Sequence, residues 1–423
     1  MKRQVIVVGA GPSGSAAAFY CVKHGLDVLL IDKETWPRDK VCGDGWLPSL
    51  KPILSEMGIY EEMKSLNTCS GGDDFFLASP DGTVVEYSMG GHTNPDGASL
   101  FVIPRRIGDD VVRRAAVEAG AEFIENFEAT ELIIRRGKVC GIRGYNHNVF
   151  TEIEADAVIV ANGSHSMLGR QVGIFNEDPS LSMFAARQYF KNLPPILKPG
   201  SVIQFYLPEQ IPNYEKARKT MSFGWITMQD EPGCGTLGMV IPIETIEALD
   251  MSLEEVYKWI TTESPTIAKF FEGAEPVDEL KGWRLLGSTS VQKNYVRGAL
   301  FIGDANSQAE CAHFYGIPVG MMSGQIAAAL LDDIFTTGDD SLESYARFHK
   351  ICSDRFNGQY EFYSQFRSLV HERIENVNDM NKYALKLFPD SKPIYSVVMY
   401  KYVTEVLGKS MPAPPPADQR LSQ

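Results

Sequence analysis

Short apolar runs without polar interruption alternate along this chain with longer segments of mixed pattern. Val5-Ile6-Val7-Val8 is β-branched and lacks alternation, which predicts a strand buried on both faces of a parallel sheet. It leads directly into Gly9-x-Gly11-x-x-Gly14 and the small residues Ser15-Ala16-Ala17-Ala18, predicting a tight turn into a helix. A second apolar strand, Val28-Leu29-Leu30-Ile31, ends at Asp32, eighteen residues after Gly14. Ala121-Glu122-Phe123-Ile124, Ala157-Val158-Ile159-Val160-Ala161 and Ala299-Leu300-Phe301-Ile302 read as further strands, the last closing in Gly303-Asp304. Between 175 and 290 the pattern changes. Residues 186–190, 201–206, 222–226 and 237–241, separated by turn residues, predict an antiparallel sheet. From Ser341 onward the chain reads as helical, and Phe356, Tyr360, Tyr363, Arg367 and Val370 fall on one face that packs against a core. A proline-rich tail from Met411 reads as an extended end.

In the opening unit each element has a physical task. Gly9 permits the turn, Gly11 lets a pyrophosphate approach the backbone, and Gly14 allows close packing of helix on strand. The helix start offers amides and a partial positive charge to phosphates, and Asp32 can accept from ribose hydroxyls. Strand, glycines, helix, strand and terminal acid in this order predict dinucleotide binding.

Composition narrows the class. Over 423 residues, 40 Lys+Arg stand against 54 Asp+Glu, a net charge of −14, which argues against a nucleic-acid partner. The hydrophobic share of 44% is that of a folded chain, with no run long enough to predict a transmembrane segment. Met1-Lys2-Arg3 before an apolar run imitates a signal peptide, but the glycine turn interrupts it, so a cytoplasmic chain is expected. Seven scattered cysteines, with no C-x-x-C pair and no zinc spacing, predict free thiols and no metal site.

Taken together, these segments resemble the FAD-dependent superfamily of aromatic hydroxylases, flavin halogenases and geranylgeranyl reductases. The reductase branch is most similar, through Lys40-Val41-Cys42-Gly43-Asp44-Gly45 and Asn162-Gly163-x-x-Ser166-x-x-Gly169-Arg170-x-x-Gly173-Ile174. The resemblance covers roughly residues 1–335. It implies an α/β fold with a Rossmann-like FAD-binding domain (glutathione-reductase-type, p-hydroxybenzoate hydroxylase-like), an inserted antiparallel-sheet substrate domain and a helical C-terminus. The expected division is 1–174 for FAD binding, with a substrate-side insertion at about 65–100, then 175–290 for substrate. Residues 291–335 return to the first domain, 336–410 are helical, and 411–423 form the tail.

The resemblance also implies site roles. Gly9, Gly11, Gly14 and Asp32 would hold the ADP half of FAD, with Lys33 as a further candidate. Arg105 would reach the pyrophosphate side, and Ala129 would meet the adenine through its backbone. Asp304 would bind the ribityl–pyrophosphate region, with the backbone of Gly316 and Ile317 against the flavin ring. Lys33 and Arg38 also read simply as solvated charges. Cys42 is a candidate catalytic thiol near the reactive flavin face, or else a small buried hydrophobe. Trp225 is the best single candidate for the substrate pocket.

The chain departs from its relatives after Asp304. Cys311 replaces a proline, and Phe314-Tyr315 replace two glycines ahead of the late helix. His313 in this stretch is a candidate acid/base group. His313 or Cys311 could instead attach the flavin covalently, or the loop could simply pack over the cofactor. Phe223-x-Trp225 partly matches the reductases' Tyr-x-Trp-x-Phe-Pro, with Thr227-Met228 in place of Phe-Pro. A halogenase is disfavoured, because no lysine lies between Lys64 and Lys138 to carry the halogenating species.

The expected activity is an FAD-dependent oxidoreductase that reduces or dehydrogenates a hydrophobic or aromatic unsaturated small molecule at the flavin N5 edge. The alternatives are a single-component monooxygenase working through a flavin hydroperoxide, and a non-catalytic flavin-binding protein. No second glycine-rich motif is visible, so NAD(P)H docking transiently, or a reduced electron-transfer partner, would supply electrons.

Overall fold

A computed structural model describes residues 2–68, 75–88, 100–175, 178–196, 199–218, 222–229, 231, 233–371, 373 and 375–410. Cys69, the tail from Met411 and the side chain of Val370 lie outside the described residues.

Two sheets organise the chain. At the centre of the first is the strand Lys2–Val8, with Val5–Val8 paired in parallel to Ala157–Val160 on one side and to Val28–Ile31 on the other. Val5, Ile6 and Val7 have no exposed surface, which is why their run lacks polar alternation. Ala299–Phe301 and Glu122–Ile124 extend the parallel order outward. An antiparallel meander, Phe127–Arg135 and Lys138–Asn146, branches from the strand Val149–Val160.

On one face of this sheet pack the opening helix (Pro12–Lys23), the helix Arg105–Ala119 and the late helix (Ile317–Thr337). The meander covers the other face. The opening and late helices approach closely because glycines face the contact. A Cβ on Gly320 would collide with the Ser13 side chain, and one on Gly324 would stand 2.8 Å from the Ser13 carbonyl oxygen.

In the second sheet, Ala309–Glu310, Lys281–Ser288, Ser182–Lys191, Gly235–Pro242, Phe223–Met228 and Val202–Tyr206 lie side by side in that order. Phe75–Ala78 and Val84–Tyr87 complete it, with Val202 pairing in parallel to Phe75. Local pattern could not reveal that pairing, since its partners lie more than a hundred residues apart. C-terminal helices seal this edge. The Tyr87 hydroxyl donates to Asn381, whose amide donates in turn to the Leu77 and Thr83 carbonyls.

Helix Leu342–Phe366 joins the two cores. Phe356 and Tyr360 face the first, and Tyr363 and Phe366 face the second. Among the described residues no helix is long and apolar enough to cross a membrane.

Candidate active site

The glycine turn is tightly fitted. Gly9 has φ +101°, which favours glycine, and a Cβ on Gly14 would collide with the Gly9 carbonyl oxygen. Gly11 caps the opening helix and no side chain caps it in turn, so its first amides remain available to an anion. Asp32 lies against this turn, where Oδ2 accepts from the Ala10 N–H at 2.7 Å and Oδ1 from the Glu34 N–H at 2.9 Å. Lys33 points to solvent, 3.7 Å from Glu34. Ala129 is half-buried on the meander opposite Gly144, at a break in register.

The far side comes from a segment three hundred residues later. Gly303 and Asp304 form the turn after Ala299–Phe301, and a Cβ on Gly303 would lie 2.6 Å from Ser13 Oγ. A Cβ on Gly316 would stand 3.2 Å from Asp304 Oδ1. Gly316 caps the late helix, again with no side-chain cap, and Ile317 and Pro318 open it. Two uncapped helix starts therefore meet around Ser13, with Asp304 beside them.

Residues 38–44 form the third wall and carry most of what sequence reasoning missed. Arg38 is not a solvated charge. Its guanidinium lies 3.2 Å from where a Gly11 Cβ would sit, and it donates to the fully buried Asp109 at 2.8 Å. Arg105 donates to the same carboxylate through Nε at 2.5 Å and Nη2 at 2.9 Å. Burial opposes the Arg105 charge, but Asp109 and then Cys42 outweigh it and raise its pKa. Two of the Arg105 donors, Nε and Nη2, are thus given to Asp109.

Asp44, with φ 58°, turns its buried carboxylate away from this cluster. It accepts the Tyr189 hydroxyl at 2.6 Å and the Arg105 N–H at 3.1 Å. Burial raises its pKa to about 6, with Tyr189 and Arg187 working against the rise. Arg187 lies over the Tyr189 ring at 4.0 Å and donates to Asp39 at 2.8 Å and Asp278 at 3.1 Å. This network fastens the Cys42 segment to the second sheet. Its signal in sequence was only the pair Asp39 and Asp44 flanking a cysteine, which says nothing of their partners.

Trp225 stands over Gly43, the residue after Cys42. A Cβ on Gly43 would lie 2.9 Å from its ring, and one on its cross-strand partner Gly238 would collide with it. Its buried Nε1 has no hydrogen-bond partner among the described residues. Phe223 links Trp225 to His313, at ring distances of 6.4 Å and 6.5 Å. The His313 imidazole is sandwiched between Tyr315 at 5.4 Å and Phe366 at 5.9 Å, with Tyr363 and Tyr395 edge-on. Glu310, fully buried, accepts from the N–H groups of Ala312, His313 and Tyr315 and so fixes this loop. Burial raises the Glu310 carboxyl to about 7, against those hydrogen bonds. Phe314 has φ +60°, a backbone conformation that favours glycine, and its ring fills the space above Gly287.

A cleft framed by a glycine turn, two uncapped helix starts and buried cations fits a dinucleotide carrying a pyrophosphate. A family model described as "FAD binding domain" matches residues 2–233. The chain belongs to the FAD binding domain family. It is an FAD-dependent oxidoreductase. Among curated relatives, a digeranylgeranylglycerophospholipid reductase of Methanocella arvoryzae is 28% identical over 415 residues, covering 96% of each chain. The conditioned medium factor receptor 1 of Dictyostelium discoideum is 25% identical over 369 residues, 84% of this chain and 68% of that one. A solved geranylgeranyl bacteriochlorophyll reductase-like protein of Thermoplasma acidophilum superposes with TM-score 0.79 at 20% identity, covering 99% of this chain and 98% of its own. A flavin-dependent brominase superposes with TM-score 0.73 at 19% identity, covering 91% of this chain and 90% of its own. These superpositions bear out the mixed α/β fold with its helical C-terminus, expected from sequence.

Proposed function

We propose that this flavoprotein reduces or dehydrogenates a hydrophobic, unsaturated small molecule, in the manner that its reductase-like sequence implies. The observation that carries the reading is the placement of Trp225, which lies on Gly43, the residue after Cys42, at the junction of the two sheets, beside an aromatic box. An apolar substrate lying there would be held away from water and next to a thiol.

FAD, when bound, supplies hydride transfer at N5; the protein supplies binding, orientation and exclusion of water. In this reading the opening helix start and Gly11 take the pyrophosphate, together with Arg38, while Asp32 and the Ala129 backbone serve the adenosine end. Asp304 holds the middle of the cofactor, and Gly316 and Ile317 lie against its ring. Cys42, with the Arg105 cation beside it, is the proton donor or acceptor on the substrate face. Trp225 and the box around His313 shape the apolar pocket. Lys33, exposed to solvent, is left out of the direct cofactor contacts, whereas Arg105, like Arg38, has more donors than it gives to Asp109 and serves the pyrophosphate side. NAD(P)H or a reduced protein partner delivers the electrons.

Turnover with and without oxygen tests the reading. A reductase forms the same product anaerobically when dithionite-reduced enzyme is mixed with a prenyl lipid. Product that requires oxygen and carries one of its atoms would make the enzyme a monooxygenase instead.

A further inference from the structure

Lys40 precedes Cys42 by two residues, and nothing said of the cofactor so far uses it. Its ammonium is buried and rests 3.9 Å from the centroid of the Trp283 ring. Among the described residues its Nζ finds no hydrogen-bond acceptor. Trp283 is itself fixed, donating to Ser164 Oγ at 3.1 Å and packing edge-on against His165 at 4.6 Å. The Lys40 backbone is fixed as well, next to Asp39 in the Arg187 ion-pair network.

Its surroundings locate it in the cleft. Arg38, two residues earlier, lies against the Gly11 turn. Trp283, under the ammonium, is tied to Ser164, just past the end of the strand Val149–Val160, whose next residues meet Gly9. Burial lowers its pKa to about 8, and the largest opposing influence is the negative charge of Asp304, followed by Cys42. Arg105 and Arg38 act against it as like charges. A buried ammonium without acceptors is costly, and the cost is relieved when an oxygen acceptor or an anion completes its shell. A surface cation would need no such partner. Its geometry excludes the bland role of a solvated lysine.

We propose that Lys40 is a direct cationic ligand of the bound FAD, on its isoalloxazine side, and that it favours the reduced cofactor over the oxidised one. The inference rests on the FAD reading of the same cleft. Two electrons and one proton turn oxidised FAD into its anionic reduced form, which carries one more negative charge. A fixed cation in a low-dielectric cleft attracts that extra charge more than it attracts the neutral ring. At pH 7 the ammonium remains mostly protonated.

The experiment uses the FAD-loaded full-length protein and compares it with Lys40→Met and Lys40→Arg. Dithionite titration against reference dyes gives the two-electron potential, and fluorescence titration of the apoprotein gives the oxidised-FAD affinity. Loss of the charge in Lys40→Met is expected to cut the preference for reduced over oxidised FAD tenfold or more, lowering the potential by about 30 mV. Lys40→Arg should stay within threefold of wild type. Equal potentials in all three proteins overturn the proposal, as does a Lys40→Met protein whose FAD affinity falls while its potential is unchanged. Should the Met variant fail to load FAD, Lys40→Gln against Lys40→Arg carries the same comparison, with the higher potential expected for Arg and equality overturning the idea. A wild-type protein that takes up no FAD would instead remove the cofactor reading itself, and this proposal with it.

Discussion

Asp44 and Tyr189 are joined by a 2.6 Å hydrogen bond between the Cys42 segment and the second sheet, the phenol donating to a carboxylate that has no exposed surface. Because burial raises the Asp44 pKa from 3.8 to about 6, the folded state prefers the protonated acid. The stability this preference contributes is fully present below about pH 4 and is lost as pH rises through 6. Asp44→Asn removes the titration while keeping the shape. Wild type should therefore lose about 2 kcal/mol relative to the Asn variant between pH 4 and 7. Urea midpoints of the two proteins across that range check this, and parallel curves would reject it.

Asp109 balances two guanidinium groups, those of Arg38 and Arg105, in a largely buried setting. Its replacement by Asn leaves both cations without a full counter-charge. A loss of about 3–5 kcal/mol is expected, with weaker FAD retention, measurable as a lower thermal midpoint and a lower flavin-to-protein absorbance ratio. Arg38→Met should affect the flavin ratio more than the midpoint.

At the second sheet, the fit of Trp225 against Gly238 leaves no room for a methyl group. Gly238→Ala should cost about 1–3 kcal/mol by overpacking. In a Trp225→Leu background the same change should cost clearly less. Additive losses in that double-mutant cycle would mean that the ring does not occupy the space opposite Gly238.

His313 is enclosed by rings rather than poised in an open cleft. His313→Phe preserves the stacking between Tyr315 and Phe366 and is expected to keep at least about a tenth of wild-type turnover. A loss of about a hundredfold or more, with the flavin spectrum and thermal midpoint intact, would make His313 an acid/base group instead.

Legibility in the sequence followed the range of the interactions. The opening strand, glycine turn and Asp32 form a local unit, and the structure places Asp32 against Ala10 as that unit implies. The four strands expected between 175 and 290 match Ser182–Lys191, Val202–Tyr206, Phe223–Met228 and Gly235–Pro242 to within a few residues at each end, because short β-branched and aromatic runs between turn residues are a local signal. Three of the four are nonetheless buried almost throughout rather than on alternate residues. The pairing of Phe75–Ala78 with Val202–Tyr206 was invisible, as was the attachment of Arg38 and Arg105 to one carboxylate. Such partners are chosen by the folded geometry, and a charged residue in a sequence looks alike whether it is solvated or buried against a counter-charge. Lys40 escaped notice for the same reason.

The meeting of Ser13 with Gly303 and Gly320 has a kinetic consequence. Residues about three hundred positions apart must find each other before the cofactor cradle exists, so its closure is among the most sequence-distant events of folding and is expected to be slow. A nascent polypeptide released before the late helix has emerged would hold the phosphate-binding turn without its opposite wall, and newly made protein should acquire its yellow colour only after Ile317–Thr337 has emerged.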